Sequence, residues 1–324
     1  MSKQVIYLKE TSSYDDIFKK EHNNTPIFLK NLIYVYKNIF NIVTKKKIED
    51  KEIWILPIKE KYSLKKLENI LQKELECKEN IYLLSNKLKE SKINLIMDEL
   101  NIEYIKEEKI KKVLIFEALK YITNLQNKEI SDIETTVLVN NTSDINMYLL
   151  EELAKQVKTL KIVSLNIYKF KNLEEKLYNE YGIPIQFSNS YRKSLEKSKL
   201  IINLDFNEFE INEYEIFDKA IIINCIVDNI KIKTRLFNGI IINSFDINFK
   251  EEIKARFKEM KIYKEYTRVT TYASLIENEK AYNIFEKIKL DEVCVVGVIG
   301  NNGLINKDEF NNIIKKLDKN KKTE

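Results

Sequence analysis

From Thr135 onward the chain repeats one pattern: a short, almost unbroken apolar run, a polar turn, then an amphipathic stretch. The runs are Thr136-Val-Leu-Val-Asn140, Lys161-Ile-Val-Ser-Leu-Asn166, Pro184-Ile-Gln-Phe-Ser188, Leu200-Ile-Ile-Asn-Leu204, Lys219 to Cys225 and Gly239 to Asn243. A strand with one solvated face alternates apolar and polar residues, whereas a strand apolar at successive positions belongs in a sheet covered on both faces. Between the runs lie helical periods. One passes through Leu149, Leu150, Leu153, Ala154 and Val157 after a cap at Ser143 or Asp144; another, through Leu173, Leu177 and Tyr178, stops at Gly182, a residue suited to a left-handed cap. A short helix is expected over Tyr191–Lys197. Strand and helix alternating at this length predict right-handed crossovers and an α/β fold with a doubly wound, mostly parallel sheet.

The preceding part reads as a smaller α/β unit. Lys51 to Ile58 is a β-branched and aromatic strand, Leu64 to Leu75 a helix opened by Ser63, Asn80 to Leu84 a second strand, and Ile102–Ile105 a third. Ile110, Val113, Leu114, Ala118, Tyr121 and Leu125 place one long amphipathic helix over about Glu107 to Asn127. Past Phe249 the chain is expected to be helical through Phe257 and from Tyr266 to Glu277, with a strand at Val293–Val296 and a last helix from Lys307 to Leu317. The expected domains are therefore an N-terminal α/β domain over 1–108, a linking helix over 109–130, a main α/β domain over 131–248, and C-terminal helices with a glycine-containing loop over 249–324, packing back on the rest.

Composition excludes more chemistry than it suggests. The 324 residues hold 1 His, 5 Gly, 3 Pro and 3 Cys. A single His22, in a polar turn-like stretch, rules out a multi-histidine metal site, and no metal is expected. Cys77, Cys225 and Cys294 are odd in number and far apart, so a reducing cytoplasm is expected rather than a disulfide framework. Buried, inert thiols are expected at Cys225 and Cys294. Net charge is only +5, from 55 basic and 50 acidic residues interleaved along most segments, which reads as solvated helix faces and not as a nucleic-acid footprint. The exceptions are Lys45-Lys-Lys47 and the tail from Lys315 to Lys322. The start, MSKQVIYLKETSSYDD, lacks the apolar core of a signal peptide, and no apolar run approaches the roughly 18 residues of a membrane span. The Ile-, Lys- and Asn-rich usage is typical of AT-rich bacterial genomes, in which Lys replaces Arg on surfaces.

The succession over Thr136–Asp246 resembles the NAD(P)-binding Rossmann superfamily, most closely the shikimate dehydrogenase and glutamyl-tRNA reductase kind, which also carry a smaller N-terminal α/β domain, a linking helix and a helical return. The segment Leu195-Glu-Lys-Ser-Lys-Leu-Ile-Ile-Asn-Leu-Asp205 looks like the helix and fourth strand placed under the nicotinamide in that family. The resemblance implies a Rossmann-like domain and, as one alternative, an NAD(P)-dependent oxidoreductase. The chain departs from the family at two fingerprints. Val139-Asn-Asn-Thr-Ser-Asp144 stands where G-x-G-x-x-G would let the backbone approach a pyrophosphate, and it holds no glycine. Leu165-Asn-Ile-Tyr-Lys169 offers no carboxylate for the adenosine ribose. The expected role is therefore a non-catalytic binding or assembly module on a degenerate Rossmann-like domain, without a cofactor, whose partner is another protein or a second copy. The alternative keeps NAD(P), with Asn140, Asn141, Thr142 and Ser143 holding phosphate.

No catalytic residue is assigned. Candidate ligand contacts are Asn203 and Asp205 at the end of the fourth strand, where loop capping is the plainer reading, and Asn189 and Arg192 after the third. Arg268 is a further candidate, because Arg is scarce here: Arg192, Arg235, Arg256 and Arg268 are the four in the chain, and scarcity favours positions needing a fork-shaped donor. Gly300 and Gly303 complete the set, since Gly297 to Gly303 concentrates three of five glycines in a turn that either packs closely or faces a ligand.

Overall fold

The computed structural model describes residues 4–10, 26–40, 42–48, 51–56, 64–74, 80–85, 88, 93–226, 228–234, 236–259, 268–276, 281–305, 307–308 and 310–311. His22, Cys77, Arg235, the Lys315 to Lys322 tail and most of the helix expected after Lys307 lie outside these residues. The chain divides into two compact units, one of residues 1–106 with 254–278, the other of 107–253 with 279–324.

The first unit contains β1 (Gln4–Glu10), α1 (Ile27–Ile39), β2 (Thr44–Ile48), β3 (Lys51–Leu56), α2 (Leu64–Glu74), β4 (Asn80–Leu84) and α3 (Ile93–Glu99), and later the helix Arg268–Ile276. Its described strands form a sheet in the order β2-β3-β1-β4, parallel except for β2. Leu8, Trp54, Leu56, Leu71, Tyr82 and Leu84 are buried together in its core. The Lys45–Lys47 run is edge strand β2, where lysines discourage pairing with another chain. The Lys45 ammonium stands 3.8 Å above the Trp54 ring. The strand expected at Ile102–Ile105 is reduced to a single parallel bridge between Tyr104 and Tyr82.

In the second unit, α4 (Glu107–Val113) and α5 (Ile115–Leu125) replace the single long helix expected there, with a break at Leu114. Then come β5 (Glu134–Leu138), α6 (Asp144–Gln156), β6 (Thr159–Val163), α7 (Lys171–Tyr181), β7 (Gln186–Ser188), β8 (Leu200–Asn203), α8 (Glu208–Asn212), β9 (Ile221–Asn224), β10 (Ile240–Ile242), β11 (Ser244–Asn248), α9 (Glu251–Glu259), which belongs to the first unit from Lys254 onward, α10 (Ala281–Leu290), β12 (Cys294–Gly300) and β13 (Gly303–Ile305). The described strands β5 to β10 build a six-stranded, wholly parallel sheet in the order β10-β9-β8-β5-β6-β7. This is the doubly wound Rossmann order: the chain starts in the middle, winds outward through β6 and β7, then crosses back to β8 and winds the other way.

Burial explains the apolar runs. Ile201, Ile202, Ile222 and Ile223 are all buried, so both faces of β8 and β9 are covered. Gly182 ends α7 at φ +67, a conformation a side chain resists. Tyr191–Lys197 forms a run of turns instead of the expected short helix. An antiparallel sheet, β11-β12-β13, is appended, and Gly297 and Gly300 lie within β12, not in a loop. Only Asn301 and Asn302 turn the hairpin, after which Gly303 takes φ +107. Among the described residues, no helix is long and apolar enough to cross a membrane.

Candidate functional site

In an open α/β sheet, ligands settle beyond the carboxyl ends of the strands, where the winding reverses. Here that point lies between β5 and β8. The loop from β5 to α6 and the residues just after β8 meet there, and Asp205 joins them. Its Oδ1 accepts the Asn140 N–H and its Oδ2 the Asn141 N–H, each at 2.7 Å. Two backbone donors at the head of the first crossover are the groups that a dinucleotide-binding loop offers to pyrophosphate. In this protein a side-chain carboxylate holds them.

The rest of the loop is bound inward. Asn140 Oδ1 accepts the Leu165 N–H at 2.9 Å and the Ser164 hydroxyl at 3.2 Å, tying the end of β5 to the end of β6. Asn141 Oδ1 accepts the Ser143 N–H at 2.9 Å, and the Asn141 carbonyl accepts from Nδ2 of buried Asn146 at 2.8 Å. Ser143 caps α6 by position but not through its hydroxyl. Thr142 is exposed.

Two cations border this crevice that sequence reasoning missed. Lys111 and Lys112 on α4 are 2% and 8% exposed. Lys111 Nζ donates to the Ile226 carbonyl at 2.6 Å. Burial raises the pKa of Asp205, opposed by the two N–H donors and by the positive charge of Lys112. The signal in the sequence was faint: a Lys pair inside the apolar stretch Ile110 to Ile115 of a Lys-rich chain reads as a solvated face. The Cys225 thiol, fully buried nearby, is pushed up to about 12 by burial. Cys294 differs from expectation in being only half-buried.

The other half of the strand edge is closed by an asparagine ladder. Asn203 pairs with Asn224 in register, and Asn243 directly follows Ile242, the partner of Ile223. Asn203 Nδ2 donates to Asn224 Oδ1 at 3.0 Å, Asn224 Nδ2 to Asn243 Oδ1 at 3.0 Å, and Asn243 Nδ2 to Asn301 Oδ1 at 2.7 Å. Asn203 also binds the Phe206 backbone through both its amide nitrogen and its oxygen. Asn203 is thus wholly buried, with its side chain spent on the protein itself. Asn203 thus acts as a loop cap, the reading set beside ligand contact in the sequence, and an amide lodged in the ladder has nothing left to offer a ligand.

The sequence candidates do not converge on one place. Asn140, Asn141 and Asp205 meet at the crossover, with Thr142 and Ser143 beside them. Asn189 and Arg192 are exposed in the turns after β7. Arg268 is the first residue of its helix in the other unit and is exposed. Gly300 and Gly303 line a groove of about 470 Å³ beside the β12–β13 hairpin, with Ile241 and Leu304 among its walls. A Cβ at Gly300 would stand 3.0 Å from Ile305 Cδ1 and 3.1 Å from the Ile241 carbonyl, so close packing explains that glycine. Among the described residues, no group of three or more His, Cys, Asp or Glu side chains could hold a metal ion.

The geometry therefore defines the second unit as a Rossmann-type α/β domain whose first crossover loop is held by a carboxylate of its own. Solved structures similar to this chain include L-tryptophan dehydrogenase from Nostoc punctiforme, at 12% identity and a TM-score of 0.29 over 99% of this chain and 90% of that one. Shikimate dehydrogenase from Aquifex aeolicus is similar at 14% identity and a TM-score of 0.31, over 96% of this chain and 97% of that one. No protein-family model matches the chain, and no curated protein matches it.

Proposed function

We propose that the protein is a non-catalytic binding or assembly module, built on a Rossmann-type domain that has given up its dinucleotide. One observation supports this above all: Asp205 accepts both N–H groups of Asn140 and Asn141. A pyrophosphate brought to those donors would meet a negative charge at about 4 Å, a repulsion on the order of 4 kcal/mol at the permittivity of a protein surface. That is about a thousandfold in affinity, before counting the two hydrogen bonds it would have to displace. Asn203 has both ends of its amide engaged within the fold, while Asn140 and Asn141 are held by their side-chain oxygens.

The second reading, an NAD(P)-dependent oxidoreductase with a divergent loop, draws on the strand order and on exposed Thr142. In that case Asn141, Thr142 and Ser143 hold phosphate and Asp205 swings aside. Thermal unfolding with NAD, NADH, NADP and NADPH at millimolar concentration separates the two. A site filled at 100 times its Kd adds about 2.7 kcal/mol. The module predicts unchanged melting with all four and a dimer or a bound protein partner in native mass spectra. Stabilisation by any one of the four, with its pyrophosphate on the Asn140 and Asn141 nitrogens, refutes it.

A further inference from the structure

The opposite edge of the same sheet carries a lysine-lined cavity. It lies under the amino ends of β5, β6 and β8, beside the carboxyl end of α5, with a volume of about 450 Å³. Pockets for small molecules span about 300–1,000 Å³. Five ammonium groups line it, from Lys128, Lys158, Lys161, Lys197 and Lys199, against two carboxylates, Asp132 and Glu134. Glu134 is paired, 3.6 Å from Lys158; Asp132 accepts the Glu129 N–H at 3.3 Å and leaves one negative charge on a wall lined by five lysines.

Several other lysines of this unit sit on carboxylates of their own. Lys155 reaches Glu151 and Glu152, Lys176 reaches Glu151, and Lys289 reaches Glu286. In the cavity that balance fails. Lys161 Nζ rests on backbone carbonyls, at 2.7 Å from Ser194 and 3.5 Å from Lys193, with no carboxylate beside it. Among the described residues, Lys128 hydrogen-bonds only the uncharged Gln126 amide, at 3.4 Å. Lys197 has no ion pair among the described residues. Hydroxyl groups complete the wall: Thr136 Oγ1 and Ser198 Oγ are 2.8 Å apart, and Thr135 Oγ1, also on the wall, is buried without a hydrogen-bond partner. The cations come from three separate parts of the chain and enclose a recess, which suits a compact anion rather than a long polymer.

We infer that this cavity is a binding site for a small polyphosphorylated ligand, held by Lys128, Lys161 and Lys197 with the Thr136 and Ser198 hydroxyls as further donors. Charged hydrogen bonds to phosphate oxygens are the strong ones, and Lys supplies them as point charges. The site lies at the edge away from Asp205, so it stands or falls independently of the module proposed above.

Sodium tripolyphosphate is the probe, titrated into the full-length protein by calorimetry and by thermal unfolding, with sodium chloride at equal ionic strength as the reference. The wild type is expected to bind and to melt later than in the chloride reference. Lys128 and Lys197 are exposed, so the double variant Lys128→Gln/Lys197→Gln should fold normally and bind about tenfold more weakly or worse. Three results would overturn the assignment: no effect beyond the chloride reference, equal affinity in the double variant, or tighter binding of a single-stranded oligonucleotide than of tripolyphosphate.

Discussion

Asn224 is the middle rung of the ladder that closes the edge of β8 to β10, and Asn224→Ala should cost far more than a surface change. Its Nδ2 donates to the Asp228 carbonyl at 2.8 Å and to Asn243 Oδ1 at 3.0 Å, while its Oδ1 accepts from Asn203 Nδ2 at 3.0 Å. Truncation removes all three bonds. Asn243 Oδ1 is left without this donor in a site only 3% exposed, and Asn203 Nδ2 keeps only the Phe206 carbonyl. A buried group stripped of its partner costs about 1–3 kcal/mol, so two such groups put the loss at about 3–4 kcal/mol. The sole tryptophan, Trp54, belongs to the other unit, so its fluorescence cannot report this loss. Amide hydrogen exchange read by mass spectrometry on peptides covering 200–224 and 240–248 can, because local opening energies appear there directly. Asn229→Ala, at an exposed neighbour, is the control and should stay within about 0.5 kcal/mol of wild type. A loss below about 1 kcal/mol for Asn224→Ala would show that the ladder is not holding the edge, and the argument from Asn203 would fail with it.

Two further predictions concern titration and reactivity. Burial pulls the pKa of Glu151 upward, but hydrogen bonds from Lys176 and Lys155 outweigh it and leave the value below the ordinary 4.5. Its contribution is therefore present above about pH 4.5 and lost as pH falls through the depressed folded value. Glu151→Gln should lower stability by about 0.5–1 kcal/mol at neutral pH, and denaturant midpoints of the two proteins should converge in acid; a gap that persists at pH 2 would refute the ion-pair account. Cys225, buried with its pKa near 12, should resist iodoacetamide in the native protein while half-buried Cys294 reacts first. Peptide mapping of labelled protein checks the order, and early labelling of Cys225 would contradict it.

The parallel sheet was legible because its strands are written in residues with few other uses: Ile201-Ile202 and Ile221-Ile222-Ile223 need cover on both faces, and Gly182 marks the end of α7 where the backbone turns left-handed. Elements governed by distant partners were not. Edge strand β2 is mostly lysine and takes its form from pairing with β3. The 191–197 segment has helical composition, yet the Ser194 side chain is drawn inward to Ser188 Oγ at 2.6 Å and its carbonyl to Lys161, and turns result. Within the candidate site, the missing glycines were visible in Val139 to Asp144, but their physical counterpart was not. Asp205 answers Asn140 across 65 positions of sequence, and no local pattern encodes that meeting.

Asp205 on the two loop N–H groups is the feature from which the functional account follows. The most direct measurement is a crystal structure grown with millimolar NADPH at neutral pH. The account predicts both carboxylate oxygens within about 3 Å of the Asn140 and Asn141 nitrogens, with no dinucleotide over the loop. Density for a pyrophosphate on those nitrogens, with Asp205 turned away, would contradict it.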